Sequence, residues 1–77
     1  MSETQQTFGQ KAVGLSFNPS GDDAVARIKQ KYAEIIDELH YLRNSAGPGE
    51  TARLASVAIT EAQGAQMWAV KALTWKD

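Results

Sequence analysis

The chain predicts an all-α fold: an antiparallel helical hairpin with a short N-terminal arm, assembled into a symmetric homo-oligomer. Three observations carry this. Two long stretches place residues at helical spacing, a glycine- and proline-rich break separates them, and large apolar side chains spread further around the second stretch than one neighbouring helix can cover. The expected layout is an arm over residues 1–17 and a hairpin domain over 18–77.

Residues 1–11 are polar and lack periodicity, so they read as a mobile arm that orders on assembly. Residues 12–17 (Ala-Val-Gly-Leu-Ser-Phe) alternate loosely and end at Asn18-Pro19-Ser20-Gly21, a turn by composition. Ser20 reads as an N-cap, with Asp23 three residues later as an acidic variant of the capping box. The first long helix is expected over residues 21–44, with an apolar stripe of Val25, Ile28, Tyr32, Ile35, Leu39 and Leu42 at spacing 3-4-3-4-3.

Asn44-Ser45-Ala46-Gly47-Pro48-Gly49 breaks that helix, and a second is expected over residues 50–74. It carries two seams. Ala55, Ala58, Ala62, Ala65, Ala69 and Ala72 repeat at 3-4-3-4-3, which lets the first helix approach closely, with tightest packing expected at Ala62 and Ala65. Half a turn away run Arg53, Val57, Thr60, Gly64, Trp68, Lys71 and Trp75. Leaving Val57, Met67, Trp68, Val70, Leu73 and Trp75 exposed forfeits about 1.5–3 kcal/mol each relative to burial, so self-assembly is expected.

Size and composition narrow the function. With 77 residues the chain holds one domain and little core. It has no cysteine and one histidine, so no disulfide, metal site or cofactor is expected. Eight basic residues against nine acidic ones, net charge -1, argue against DNA or RNA duplexes as partners. No apolar run suggests a membrane span and no leader resembles a signal peptide, so a cytoplasmic protein is expected.

Catalysis finds little support. Glu34, Asp37, Glu38 and Glu61 have no partner nucleophile or metal ligand in the pattern and read as solvated charge. His40 reads as a rim or interface histidine, and Gly14, Gly21, Gly47 and Gly49 match no phosphate-binding fingerprint.

Binding fares better. Arg53 and Lys71 share a helical face with Trp68 and Trp75, with Thr60 and Gly64 between them. Arginine grips phosphate bidentately, and tryptophan offers a stacking platform worth about 1–3 kcal/mol per base. An oligomer interface with rim ion pairs explains the same residues, and composition alone favours it. The helix N-terminus after Phe17-Asn18-Pro19-Ser20 is a second candidate anion site, with Lys29 two turns further on. An ordinary capped turn explains it equally well.

Phe17-Asn18-Pro19-Ser20-Gly21, Val25, Ile28-Lys29, Arg53, Ala55, Ala58, Thr60, Glu61 and Met67-Trp68-Ala69-Val70-Lys71-Ala72 together resemble a family of small phage proteins, the anti-CBASS and anti-Thoeris sponges. The resemblance spans about residues 13–75, with its strongest part in the second helix. It implies a homo-oligomer, often a hexamer, working in the cytoplasm of the infected bacterium. It implies cyclic dinucleotides held between subunits, cyclic trinucleotides held at a separate site where three chains meet, and no cleavage. Carried onto this chain, it implies that Phe17, Asn18, Ser20 and Lys29 line the dinucleotide pocket and that Arg53 and Thr60 contact the second ligand. The competing class is a structural or protein-binding helical hairpin, a phage regulator acting on a host protein.

Overall fold

The computed structural model describes residues 5–18 and 21–76. Three helices follow one another: α1 (Phe8–Val13), α2 (Asp23–Ala46) and α3 (Glu50–Thr74). The described residues contain no strand. The hairpin of α2 and α3 is as expected, joined through Gly47, Pro48 and Gly49. Gly47 has φ +75°, a left-handed value open to glycine, and precedes a proline that excludes the α region; α2 therefore stops at Ala46.

The start of α2 differs from the expectation. Gly21 has φ +66°, which no right-handed helix accommodates, so the helix begins two residues later than predicted. Its N-cap is Asp22, whose side chain accepts a hydrogen bond from Ala24 N at 2.8 Å. Ser20, the expected cap, lies outside the described residues.

A larger difference is α1, in a region expected to carry no helix. Thr7 Oγ1 accepts from Gln10 N at 3.0 Å and Gln10 Oε1 accepts from Thr7 N at 2.9 Å, a complete capping box. Gly14, at φ +65°, closes the other end, and Leu15 N donates back to Gln10 O. Six residues cannot hold a helix unaided. Docking on α2 holds this one. Gly9 N donates to Asp37 Oδ1 at 2.6 Å, and a Cβ at Gly9 would lie 2.0 Å from Ala33 O. Only glycine permits that approach. Asp37 is thus not the solvated charge the pattern suggested but an acceptor for a backbone N–H in the first turn of α1. His40, expected at a rim, is half-buried beneath Phe8, the rings stacked 4.1 Å apart. Arg43 lies over the same Phe8 ring and donates to Ser56 Oγ at 3.2 Å, tying α1, α2 and α3 together.

This docking turns α2 about its axis. Its buried residues are Val25, Lys29, Ala33 and Ile36, while Ile35 and Leu42 of the expected stripe are exposed. The helix serves two partners, so its buried seam shifts toward the side that α1 occupies. Ala33 and Ile36, both 0% exposed, form the core with Val13 and Ile59, and Tyr32, Leu39 and Ala62 pack at its edge. The seam of α3 is rotated as well. Ala55, Ile59 and Gln66 are buried, Ala62 packs on the core, and Ala65 and Ala72 face outward. The expectation of closest packing at Ala65 is therefore corrected: Ile59 supplies the bulk that an all-alanine seam lacks.

The molecule measures 44 × 38 × 12 Å, about one helix thick. A single layer covers few of its own faces, which decides what remains available for binding.

Candidate functional site

Two groups of predicted residues lie in different places. The first surrounds the turn between α1 and α2. Lys29 is buried on α2, and its ammonium donates to Gly14 O at 3.0 Å and to Phe17 O. The same Nζ lies 5.5 Å from the centre of the Phe17 ring, which is 70% exposed. Asn18 Nδ2 donates to Asp22 O at 3.0 Å, and Gly21 N donates to Asn18 O, so Asn18 braces the entry to α2. Phe17, Asn18 and Lys29 thus converge on one turn. Ser20, the fourth residue of this group, lies outside the described residues. Lys29 is not an outstretched cation here. Two of its three donors already serve backbone carbonyls, which offsets the cost of burying a charge. A phosphate that recruits Lys29 must draw it off the Gly14–Phe17 turn or add to those bonds.

The second group lies on the outward face of α3. Arg53 sits in the first turn and forms a two-pronged pair with Glu50, Nε to Oε1 at 3.0 Å and Nη2 to Oε2 at 2.7 Å. The hydrogen bond from Arg53 holds the Glu50 carboxyl below its ordinary range, and Glu50 in turn raises the arginine. Both side chains are more than 60% exposed, at 63% and 65%, so water screens the pair. Its consequence is orientation: Glu50 fixes the guanidinium and occupies its Nε and Nη2 donors, so an oxyanion that takes this edge must displace Glu50. Thr60, also exposed, points its hydroxyl back to Ser56 O at 3.3 Å.

Further along the same face is a shallow cleft of about 290 Å³ lined by Gly64, Met67, Trp68 and Lys71. Lys71 Nζ lies 5.5 Å from the Trp68 ring and 6.0 Å from that of Trp75. The arrangement presents two aromatic faces with a cation between them. Sequence reasoning found the shared face from its spacing. It missed the turn carbonyls of Gly14 and Phe17, because nothing in residue types reveals what a buried lysine donates to.

Among the described residues, no three His, Cys, Asp or Glu side chains gather where they could hold a metal ion, and no helix is long and apolar enough to cross a membrane. What the fold and these surfaces define is a small helical-hairpin binding protein. A family model described as the Acb2/Tad1 hairpin domain matches residues 10–74, from within α1 to the end of α3. The chain belongs to that family, the anti-CBASS and anti-Thoeris sponges. Searches of curated proteins and of solved structures find no match.

Proposed function

We propose that this protein sequesters cyclic di- and trinucleotide second messengers of bacterial anti-phage signalling, those of CBASS and also of Thoeris, and releases them unaltered. The observation that carries the reading is the family match over residues 10–74. In this reading the protein acts in the cytoplasm of the infected host as a homo-oligomer, a hexamer with a dimer as the smaller possibility. Two separate apolar surfaces support assembly beyond a pair. One is on α3; the other, on α2, is lined by Ile35, Glu38, Leu39, Tyr41 and Leu42. A dimer built on one leaves the other uncovered.

Phe17, Asn18, Ser20 and Lys29 are proposed for the dinucleotide, and Arg53 with Thr60 for phosphates of the trinucleotide. The convergence of Phe17, Asn18 and Lys29 supports the first group: an exposed ring for a base beside an ammonium for its phosphate. The exposed Arg53 fork supports the second. The division into an arm over 1–17 and a hairpin domain over 18–77 stays part of this reading.

The test incubates purified protein with cyclic di- and trinucleotides, removes free ligand, heat-denatures the protein and identifies what is released. Intact cyclic nucleotide at no more than one equivalent per site is expected. Linear product in excess over protein would show turnover and end the sponge reading. No ligand retained at all would favour the second reading, a hairpin that binds a host protein through the exposed apolar residues of α3.

A further inference from the structure

Glu50 occupies the edge through which Arg53 would grip an oxyanion side-on. Nε and Nη2 donate to its two carboxylate oxygens at 3.0 and 2.7 Å. The remaining N–H donors, on Nη1 and the far side of Nη2, are those a second anion can take without moving it. A phosphate therefore meets an arginine already neutralised, whichever edge it approaches. The pair is exposed and adds little to stability, so its larger consequence is for what binds at Arg53.

Glu50 also gives way at low cost. It is the first residue of α3, and the N-cap, Gly49, brings no side chain to bond the free N–H groups of the first turn. A carboxylate released from Arg53 stays at the positive end of the helix, where negative charge is favoured. Its charge does not leave the site, however. The backbone holds Glu50 less than one turn from Arg53, at i and i+3. An anion that binds there lies beside one positive and one negative group.

That tether treats anions unequally. A phosphodiester carries roughly one negative charge, whereas a terminal phosphomonoester carries about 1.5 to 2 at neutral pH. An arginine alone favours the more highly charged group, and linear nucleotides end in such groups. Repulsion from Glu50 scales with the charge brought in and offsets that preference. At a separation of roughly 7 Å in a water-like medium, each added unit of ligand charge lowers affinity by on the order of threefold.

We propose that Glu50 is a displaceable counterion that sets the selectivity of Arg53. It yields to the singly charged phosphodiesters of a cyclic nucleotide and holds off the doubly charged end of a linear one. The inference rests on the reading of Arg53 as a phosphate contact and adds to it a residue that discriminates rather than grips.

Glu50→Gln removes the charge and keeps the length of the side chain. Calorimetric titration at low salt compares wild type, Glu50→Gln and Arg53→Ala, each with a cyclic trinucleotide of adenylate and with the linear trinucleotide bearing a 5′-phosphate. Glu50→Gln should tighten the cyclic ligand by up to about fivefold, the worth of an exposed ion pair. It should tighten the linear ligand by about two- to threefold more, and this extra gain should shrink in about 0.5 M salt. Helical circular dichroism should be unchanged. Equal gains for both ligands overturn the selectivity. No gain, or a loss, overturns the counterion role altogether, while a weakened cyclic ligand in Arg53→Ala would leave the proposed site standing. Arg53→Ala without effect, beside a wild type that binds, overturns the site assignment and this inference with it. A wild type that binds neither ligand ends both readings.

Discussion

Replacing Gly9 by alanine tests the docking of α1 most sharply, because the sign of the effect is diagnostic. At an ordinary helical position this change stabilises a protein by about 1 kcal/mol. Here the new methyl would lie 2.0 Å from Ala33 O, 2.8 Å from Ala33 C and 2.9 Å from Asp37 Oδ1. Two of those atoms are backbone of α2, which cannot swing aside. Either α1 shifts within the packed core, at about 1–3 kcal/mol for overpacking, or it lifts off. Lifting off surrenders the Gly9–Asp37 hydrogen bond, worth about 1.5–3 kcal/mol for a charged acceptor. It also exposes Val13, now 4% exposed, at about 1.5–3 kcal/mol. Set against the propensity gain of about 1 kcal/mol, the cheaper route leaves a net loss of up to about 2 kcal/mol, where an ordinary site would show a gain. For a domain of this size each kcal/mol lowers Tm by about 4–8 °C. Thermal and urea unfolding followed by circular dichroism, at one fixed protein concentration, measures it. A Tm equal to or above wild type would refute the close packing of α1 on α2.

Three other expectations follow from the same geometry. Ala62→Leu, at the core edge, should cost about 1–3 kcal/mol in urea unfolding, whereas Ala65→Leu, facing outward, should leave the subunit fold within about 0.5 kcal/mol. Equal effects would mean the register of the hairpin is wrong. Lys29→Ala should weaken cyclic dinucleotide binding and Arg53→Ala cyclic trinucleotide binding, each by roughly 10- to 100-fold in calorimetric titration, since a charge-assisted bond is worth about 1.5–3 kcal/mol. Lys29→Ala should also lower Tm, because it leaves the Gly14 and Phe17 carbonyls without their donor, so titrations belong well below that temperature; equal loss of both ligands in each variant would indicate one site rather than two. The carboxyl of Glu50 is held low by Arg53, so its contribution to stability is present above the unfolded carboxylate value of about 4.3 and fades as pH falls through the lower folded value. Glu50→Gln should accordingly lose its small deficit against wild type in acid, and at neutral pH in about 1 M salt; a deficit that grows below pH 4 would contradict the pairing.

Much of this protein is local and was legible in residue order. Gly47-Pro48-Gly49 ends one helix and opens the next through backbone restrictions that act within a few residues. The outward face of α3, from Arg53 through Gly64 to Trp75, follows from a period of 3.6 that needs no tertiary information. The helix α1 was legible too, in Thr7 to Gln10 and Gly14, but so short a signal carries weight only beside a surface that can receive it. Tertiary structure decided the rest. Periodicity locates a stripe on a helix to within a side chain or so, but which flank of it is buried depends on how many neighbours press on it. With α1 against Ala33, the seam of α2 turned to Ala33 and Ile36 and left Ile35 and Leu42 outside. Residue types likewise cannot say whether a lysine reaches outward. Lys29 turned inward because two carbonyls of a turn more than ten residues away in the chain offered its ammonium better company than water, and only the folded path of the backbone brings them there.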